Sequence, residues 1–188
     1  MSERADLNVD HIPCGDFANE SERHAVERLQ HELGRLAGSK RWILLSNVPH
    51  AVSTQAVPDD LDLLVIGPTG LHVIEVKHWE RQYVKDFSTQ VTHEADKLCN
   101  KVRRIATKLK RANLDAGFLT GTFLLTKGSP SWASHRPKIH GCEFFGLKEW
   151  KLLLEIDHLQ MFSDMDVERV CQAVAGRQGT PIPLARPW

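Results

Sequence analysis

The sequence predicts an α/β fold in which a mixed central sheet is flanked by helices. Two kinds of segment predict it. Short runs rich in Ile, Val and Leu, bounded by Asn, Pro and Gly, occur at "RWILLSN", "LDLLVIG", "LHVIEVK" and "GFLTGTFLLT", and such runs read as strands. Longer segments with apolar residues three and four apart stand before and after them, the repeat of a helical face. A chain of 188 residues makes one domain with a sizeable core, since single domains run to roughly 100–200 residues.

The elements follow in order. "ANESERHAVERLQHELGRL" sets Glu22, Ala25, Val26, Leu29, Leu33 and Leu36 on one face, which predicts a helix over 19–36 after an N-terminal arm of residues 1–18. A polar loop from Val48 to Asp60 separates the first strand from the second. "GPTG", Gly67 to Gly70, joins the second and third strands as a hairpin and makes them antiparallel. "HEADKLCNKVRRIATKLKRANL" carries Leu98, Val102, Ile105 and Leu109 and predicts a helix over roughly 92–112. A strand over 119–126 follows, then a short one at "CEFFG", with "KGSPSWASHRPKIHG" between them as a loop. "LKEWKLLLEI" and "DMDVERVCQAVAG" predict two further helices. The core order is α-β-β-β-α-β within a domain of residues 19–176. "GRQGTPIPLARPW" is rich in Gly and Pro without period, so 177–188 read as a linker or tail that could lead into a fused downstream domain.

Composition narrows the functional classes. The 41% apolar and 26% charged content is that of a soluble globular protein. Basic and acidic residues balance at 24 each, so affinity for nucleic acid must come from local segregation of charge. Cys14, Cys99, Cys142 and Cys171 form no C-x-x-C pair, which argues for free thiols in a reducing cytoplasm rather than a zinc site or disulfide scaffold. The N-terminus lacks a signal pattern and no apolar run reaches membrane-spanning length, predicting a cytoplasmic protein with no membrane association. The histidines form no H-E-x-x-H, and G-x-S-x-G, Walker and G-x-G-x-x-G motifs do not occur.

The chemistry lies in the hairpin. If Ile66 faces Leu71 across "GPTG", Asp62 faces Glu75. Two carboxylates so opposed repel by about 0.2–1 kcal/mol before burial adds to the cost. A fold keeps such a pair when a cation lies between them or one stays protonated. Alternation puts Val73, Glu75 and Lys77 on one face and His72, Ile74 and Val76 on the other, so Asp62, Glu75 and Lys77 share a patch. A salt bridge at the end of an edge strand is the plain alternative. Strands that are apolar on both faces are central rather than edge strands, and there a charged trio calls for a function. On the first helix Glu22 alone heads the buried stripe, while Glu20, His24 and Glu27 lie on the polar face. Glu22 is a third acid for the patch, or a carboxylate favouring the helix N-terminus.

The order α-β-β-β-α-β with Asp62, Glu75 and Lys77 spaced as D-x12-E-x-K resembles the PD-(D/E)xK nuclease superfamily. "LLSNV", "DLDLLVIGPTGLHVIEVKHW" and the helical Glu22 are similar, within it, to the nuclease-related domain called NERD, over residues 20–126. The resemblance implies a restriction-endonuclease-like core and a Mg2+-dependent endonuclease-type phosphodiesterase, with Mn2+ as a substitute, acting on DNA with RNA as the alternative. It implies Glu22, Asp62, Glu75 and Lys77 as catalytic residues and Asp62, Glu75 and Val76 as metal contacts. Trp79-Glu80-Arg81 stands where many such domains carry Trp-Ser-Gly, and Asn100 is the stand-in for a polar Gln in the next helix.

Lys97, Lys101, Arg104, Lys108 and Arg111 recur every three or four residues beside that helix's apolar face, a stripe able to track a phosphate backbone, although a solvated helix face looks the same. His78 points away from Lys77 and reads as a structural or rim residue. Trp79 offers a surface for a base to stack on, while covering the core is the commoner role of a Trp at a strand end. The rival expectation is a catalytically idle nucleic-acid-binding or docking domain of a larger protein such as a kinase or helicase. A homodimer is a further expectation, as for enzymes that cut both strands.

Overall fold

The computed structural model describes residues 9–36, 40–49, 60–115, 119–127, 137–149 and 162–175. Among these residues seven strands form one mixed sheet in the order β1-β2-β3-β4-β5-β7-β6: β1 (Val9–Pro13), β2 (Trp42–Val48), β3 (Leu61–Gly67), β4 (Gly70–Lys77), β5 (Leu119–Leu125), β6 (Lys138–Ile139) and β7 (Cys142–Gly146). β3 runs antiparallel to both of its neighbours, β2 and β4, and β5 continues parallel to β4. The hairpin pairs Ile66 with Leu71, the predicted register.

Among the described residues four helices cover the sheet: α1 (Glu20–Leu36), α2 (Arg81–Asp86), α3 (Ser88–Arg111) and α4 (Asp164–Ala175). Ala25, Val26, Leu29 and Leu33 of α1 pack on Leu44, Leu63, Val65 and Ile74 on one face. Val91, Ala95, Leu98, Ile105 and Leu109 of α3, with Val167, Val170 and Val174 of α4, pack on Ile43, Leu64, Val73 and Phe123 on the other. At a typical 1.5–3 kcal/mol for each fully buried large apolar side chain, these two layers fix the sheet between them and leave little freedom to the strand ends that carry the charges.

Local capping sets where the helices start. The Glu22 N–H donates to Asn19 Oδ1 at 3.1 Å, while the Glu22 carboxylate accepts from the Ala18 N–H at 3.0 Å and Asn19 Nδ2 at 2.7 Å, a reciprocal box of the kind that satisfies orphan donors. Ser163 and Asp166 close a similar box at α4.

Part of the expected N-terminal arm is β1, parallel to β2 from Val9 opposite Trp42 to Pro13 opposite Ser46. Its alternation is obscured because Asp10 and His11 are polar; Arg41 pairs with Asp10, and His11 Nε2 lies 3.0 Å from Ser46 Oγ. The six-residue α2 is too short to leave a period in the sequence. β6 lies within the expected loop and joins β7 through His140 and Gly141, both at positive φ. Most of the helix expected at "LKEWKLLLEI" and all of the tail 177–188 lie outside the described residues. Cys99 and Cys142 are free thiols with their sulfurs 3.4 Å apart. Among the described residues no helix is long and apolar enough to cross a membrane.

Candidate active site

Every residue of β3 and β4 is buried except Asp62, Glu75 and Lys77, which are half-buried. These three are where the strand pair ends its regular ladder. Pairing runs from Gly67 opposite Gly70 to Leu63 opposite Ile74, and the same register carried one step further sets Asp62 against Glu75. There the Asp62 carboxylate accepts the Val76 N–H at 2.7 Å, a side chain bonded where a strand would bond main chain.

The other side of β3 is distorted at the same level. Ser46 pairs with Leu63 and Val48 with Leu61, leaving Asn47 level with Asp62. Asn47 has φ 51°, the left-handed region that few non-Gly residues occupy. Leu61 and Leu63 would share a face in an undistorted strand, yet Leu63 packs in the α1 layer and Leu61 in the α3 and α4 layer. Asp62 therefore sits between the layers, open to charges from both.

Those charges set its protonation. Burial first, then the neighbouring Glu75 carboxylate and Glu22, push the Asp62 carboxyl from 3.8 up to about 7, against the opposing pull of the Val76 N–H and Lys101. Glu22, 7% exposed, approaches from the N-terminus of α1, so its place at the head of the buried stripe brings it to Asp62.

Glu75 is held from two sides. Lys77 Nζ donates to one oxygen at 3.1 Å and Lys101 Nζ to the other at 2.9 Å. Lys101 also donates to the Asp60 carbonyl at 2.9 Å. Lys77 donates in addition to Glu94 at 2.8 Å, and Lys97 to the other Glu94 oxygen at 2.6 Å. Burial draws the Lys77 ammonium down, but Glu75 and Glu94 outweigh it and hold it above its ordinary value. Burial likewise raises Glu94, and its bonds to Lys77 and Lys97 overcome this to bring it to about 2. Lys77 thus stays a cation beside the acids.

Glu22, Asp62, Glu75 and Lys77 are brought together, with Val76 joined to them through its N–H. The basic stripe is corrected at one position: Lys101, expected on the outer stripe, is 4% exposed and points inward to Glu75. The signal was present, since Lys101 falls three after Leu98 and four before Ile105, in the gap of the buried stripe. Lys97 is at the rim, bonded to Glu94; Arg104 is half-buried; Lys108 and Arg111 are exposed. Asn100 is exposed and accepts from Arg103 at 3.2 Å, so Lys101 rather than Asn100 reaches the acids. Glu94 was not anticipated, although it lies seven residues, two helical turns, before Lys101. His78 is a rim residue within reach of Ser21 and Thr126 hydroxyls at 3.3 and 3.1 Å.

The sheet and site define an α/β protein compatible with a restriction-endonuclease-like core. The chain belongs to the nuclease-related domain (NERD) family, whose model matches residues 18–125, from the start of α1 to the end of β5. Neither the curated proteins nor the solved structures include a match to it.

Proposed function

We propose that the protein is a metal-dependent nuclease that hydrolyses phosphodiester bonds of DNA, or of RNA, at Glu22, Asp62, Glu75 and Lys77. The observation that carries this reading is the convergence, at the end of two otherwise buried strands, of acids from separate elements beside the ammonium groups of Lys77 and Lys101. Membership in the NERD family supports it.

The donor set suits Mg2+. It is a hard ion that binds through one or two carboxylates, with waters and substrate phosphate completing its shell, and seldom through an all-protein cage. Among the described residues no cluster of three or more acidic, His or Cys side chains forms such a cage, and the site offers carboxylate oxygens. Asp62 and Glu75 would hold the ion, with Val76 beside them; bound there, it supplies Lewis-acid polarisation of the phosphate and acidifies water. The residues do the rest. Lys77, fixed by Glu75 and Glu94, neutralises charge developing on the phosphate oxygens and orients the attacking water. Asp62, whose ionisation burial, Glu75 and Glu22 oppose, would be stabilised as a carboxylate by a bound cation. Glu22 adds a third carboxylate beside Asp62 that would position the attacking water.

Plasmid incubated with the protein and Mg2+ or Mn2+ should be nicked, and Asp62→Ala and Lys77→Ala should each lower the rate by about a hundred-fold or more, the usual loss for one charge-stabilising group. Equal nicking by all three proteins would exclude the site. A second reading, nucleic-acid binding without hydrolysis, is favoured by Glu75 having both oxygens already engaged by lysines; wild-type protein that binds DNA yet never cuts would establish it.

A further inference from the structure

Beside the acids a stack of aromatic rings runs from the core to the surface. Phe144 and Phe123 stack at 4.8 Å, Phe123 and Trp79 at 6.0 Å, Trp79 and Tyr83 at 4.9 Å, and Tyr83 and Phe87 at 4.5 Å between ring centroids. The first two rings are fully buried, whereas Phe87 is 45% exposed and, with Met165, is one of the two large apolar side chains exposed among the described residues. The outer rings line a cavity of about 300 Å³, at the small end of the roughly 300–1,000 Å³ of ligand sites.

Phe87 breaks two local preferences. It leaves an aromatic face to water, and it occupies the N-cap of α3 without a capping bond, where Ser, Thr, Asp or Asn is favoured. Such conflicts between local rule and fold concentrate at functional positions. The middle of the stack reaches the charged site, since Lys77 Nζ lies 5.7 Å from the Trp79 ring centre. The wall carries polar groups suited to a base edge: Gln82 bonded to Asp86 at 2.7 Å and Lys127 paired with Glu80 at 3.0 Å.

We infer that this pocket binds one unpaired nucleobase next to the phosphate undergoing attack, so that single-stranded or frayed nucleic acid, including the transiently opened segments of a supercoiled plasmid, is preferred over closed duplex. The inference rests on the nuclease reading for the adjoining phosphate. In a duplex each base is already stacked and paired, and only a base freed from both can lie on Phe87 and Tyr83.

The test is binding in EDTA, measured by anisotropy with labelled oligothymidine and with a hairpin duplex. Phe87→Ala and Phe87→Leu should each weaken oligothymidine binding about ten-fold or more, the loss of one stacked base, and lower its affinity relative to duplex. Phe87→Trp should retain binding, and Met165→Ala, on α4, should match wild type. Equal binding by the Leu variant, a loss shared equally by duplex, or no binding of oligothymidine would each overturn the pocket. Hydrolysis is not the readout, so the two readings fail separately. A protein that binds through Phe87 but never cuts refutes the nuclease; one that cuts with Phe87→Leu binding unaltered refutes the pocket.

Discussion

Substituting Asn for Asp62 keeps an oxygen to accept the Val76 N–H and removes a charge that the fold resists. The carboxyl titrates at about 7 in the folded chain against 3.8 when unperturbed, a difference of about 3 units or about 4 kcal/mol at 1.36 kcal/mol per unit. The sign follows from proton binding. Between these pH values the folded state holds a proton that the unfolded state has released, so stability falls as pH rises from about 4 to about 7 and then levels. Below pH 4 the carboxyl is neutral in both states and the term vanishes.

Metal-free Asp62→Asn protein should therefore unfold in urea with the same stability as wild type near pH 4 and with a gain approaching about 4 kcal/mol at pH 8. Added Mg2+ should stabilise wild type by mass action and the variant far less, while the variant loses cleavage. A difference that does not change with pH, or a variant less stable than wild type at pH 8, would refute the account of Asp62 as a destabilising acid kept for chemistry.

Lys101→Met leaves Glu75 and the Asp60 carbonyl without their buried ammonium and should cost about 3–5 kcal/mol in urea unfolding, as breaking a buried pair does; a cost under 1 kcal/mol would show the pair to be effectively solvated. Gly67→Ala places a methyl into the Trp42 ring and should destabilise by about 1–3 kcal/mol through overpacking, read by the same method, with an unchanged midpoint contradicting that fit. Lys108→Gln with Arg111→Gln should reduce the slope of log affinity for duplex DNA against log salt by about 0.9 for each phosphate that is no longer neutralised; an unaltered slope removes the outer end of α3 from the interface.

The central part of the fold is legible because three independent signals coincide there. Apolar runs, the "GPTG" turn and the charged positions agree on one register, and a slip by a single residue would have sent a strand's side chains to the opposite buried layer. β1 and α2 escape for opposite reasons. The first is an edge strand whose polar Asp10 and His11 find partners only in the folded chain, and the second is shorter than two helical turns. The site divides along the same line. Asp62, Glu75 and Lys77 stand out because charge is rare in such strands, whereas Lys101 looks like any surface lysine until it is counted along the stripe of α3. Asn47 shows what pattern alone does not reach: its φ of 51° and an amide nitrogen buried with no hydrogen-bond partner among the described residues are properties of the folded backbone. It lies level with Asp62, where β2 and β3 keep their register but Leu61 and Leu63 enter opposite layers. The acid that the fold disfavours and the backbone that it strains are thus neighbours, which is the arrangement expected where stability has been given up to hold charged groups together.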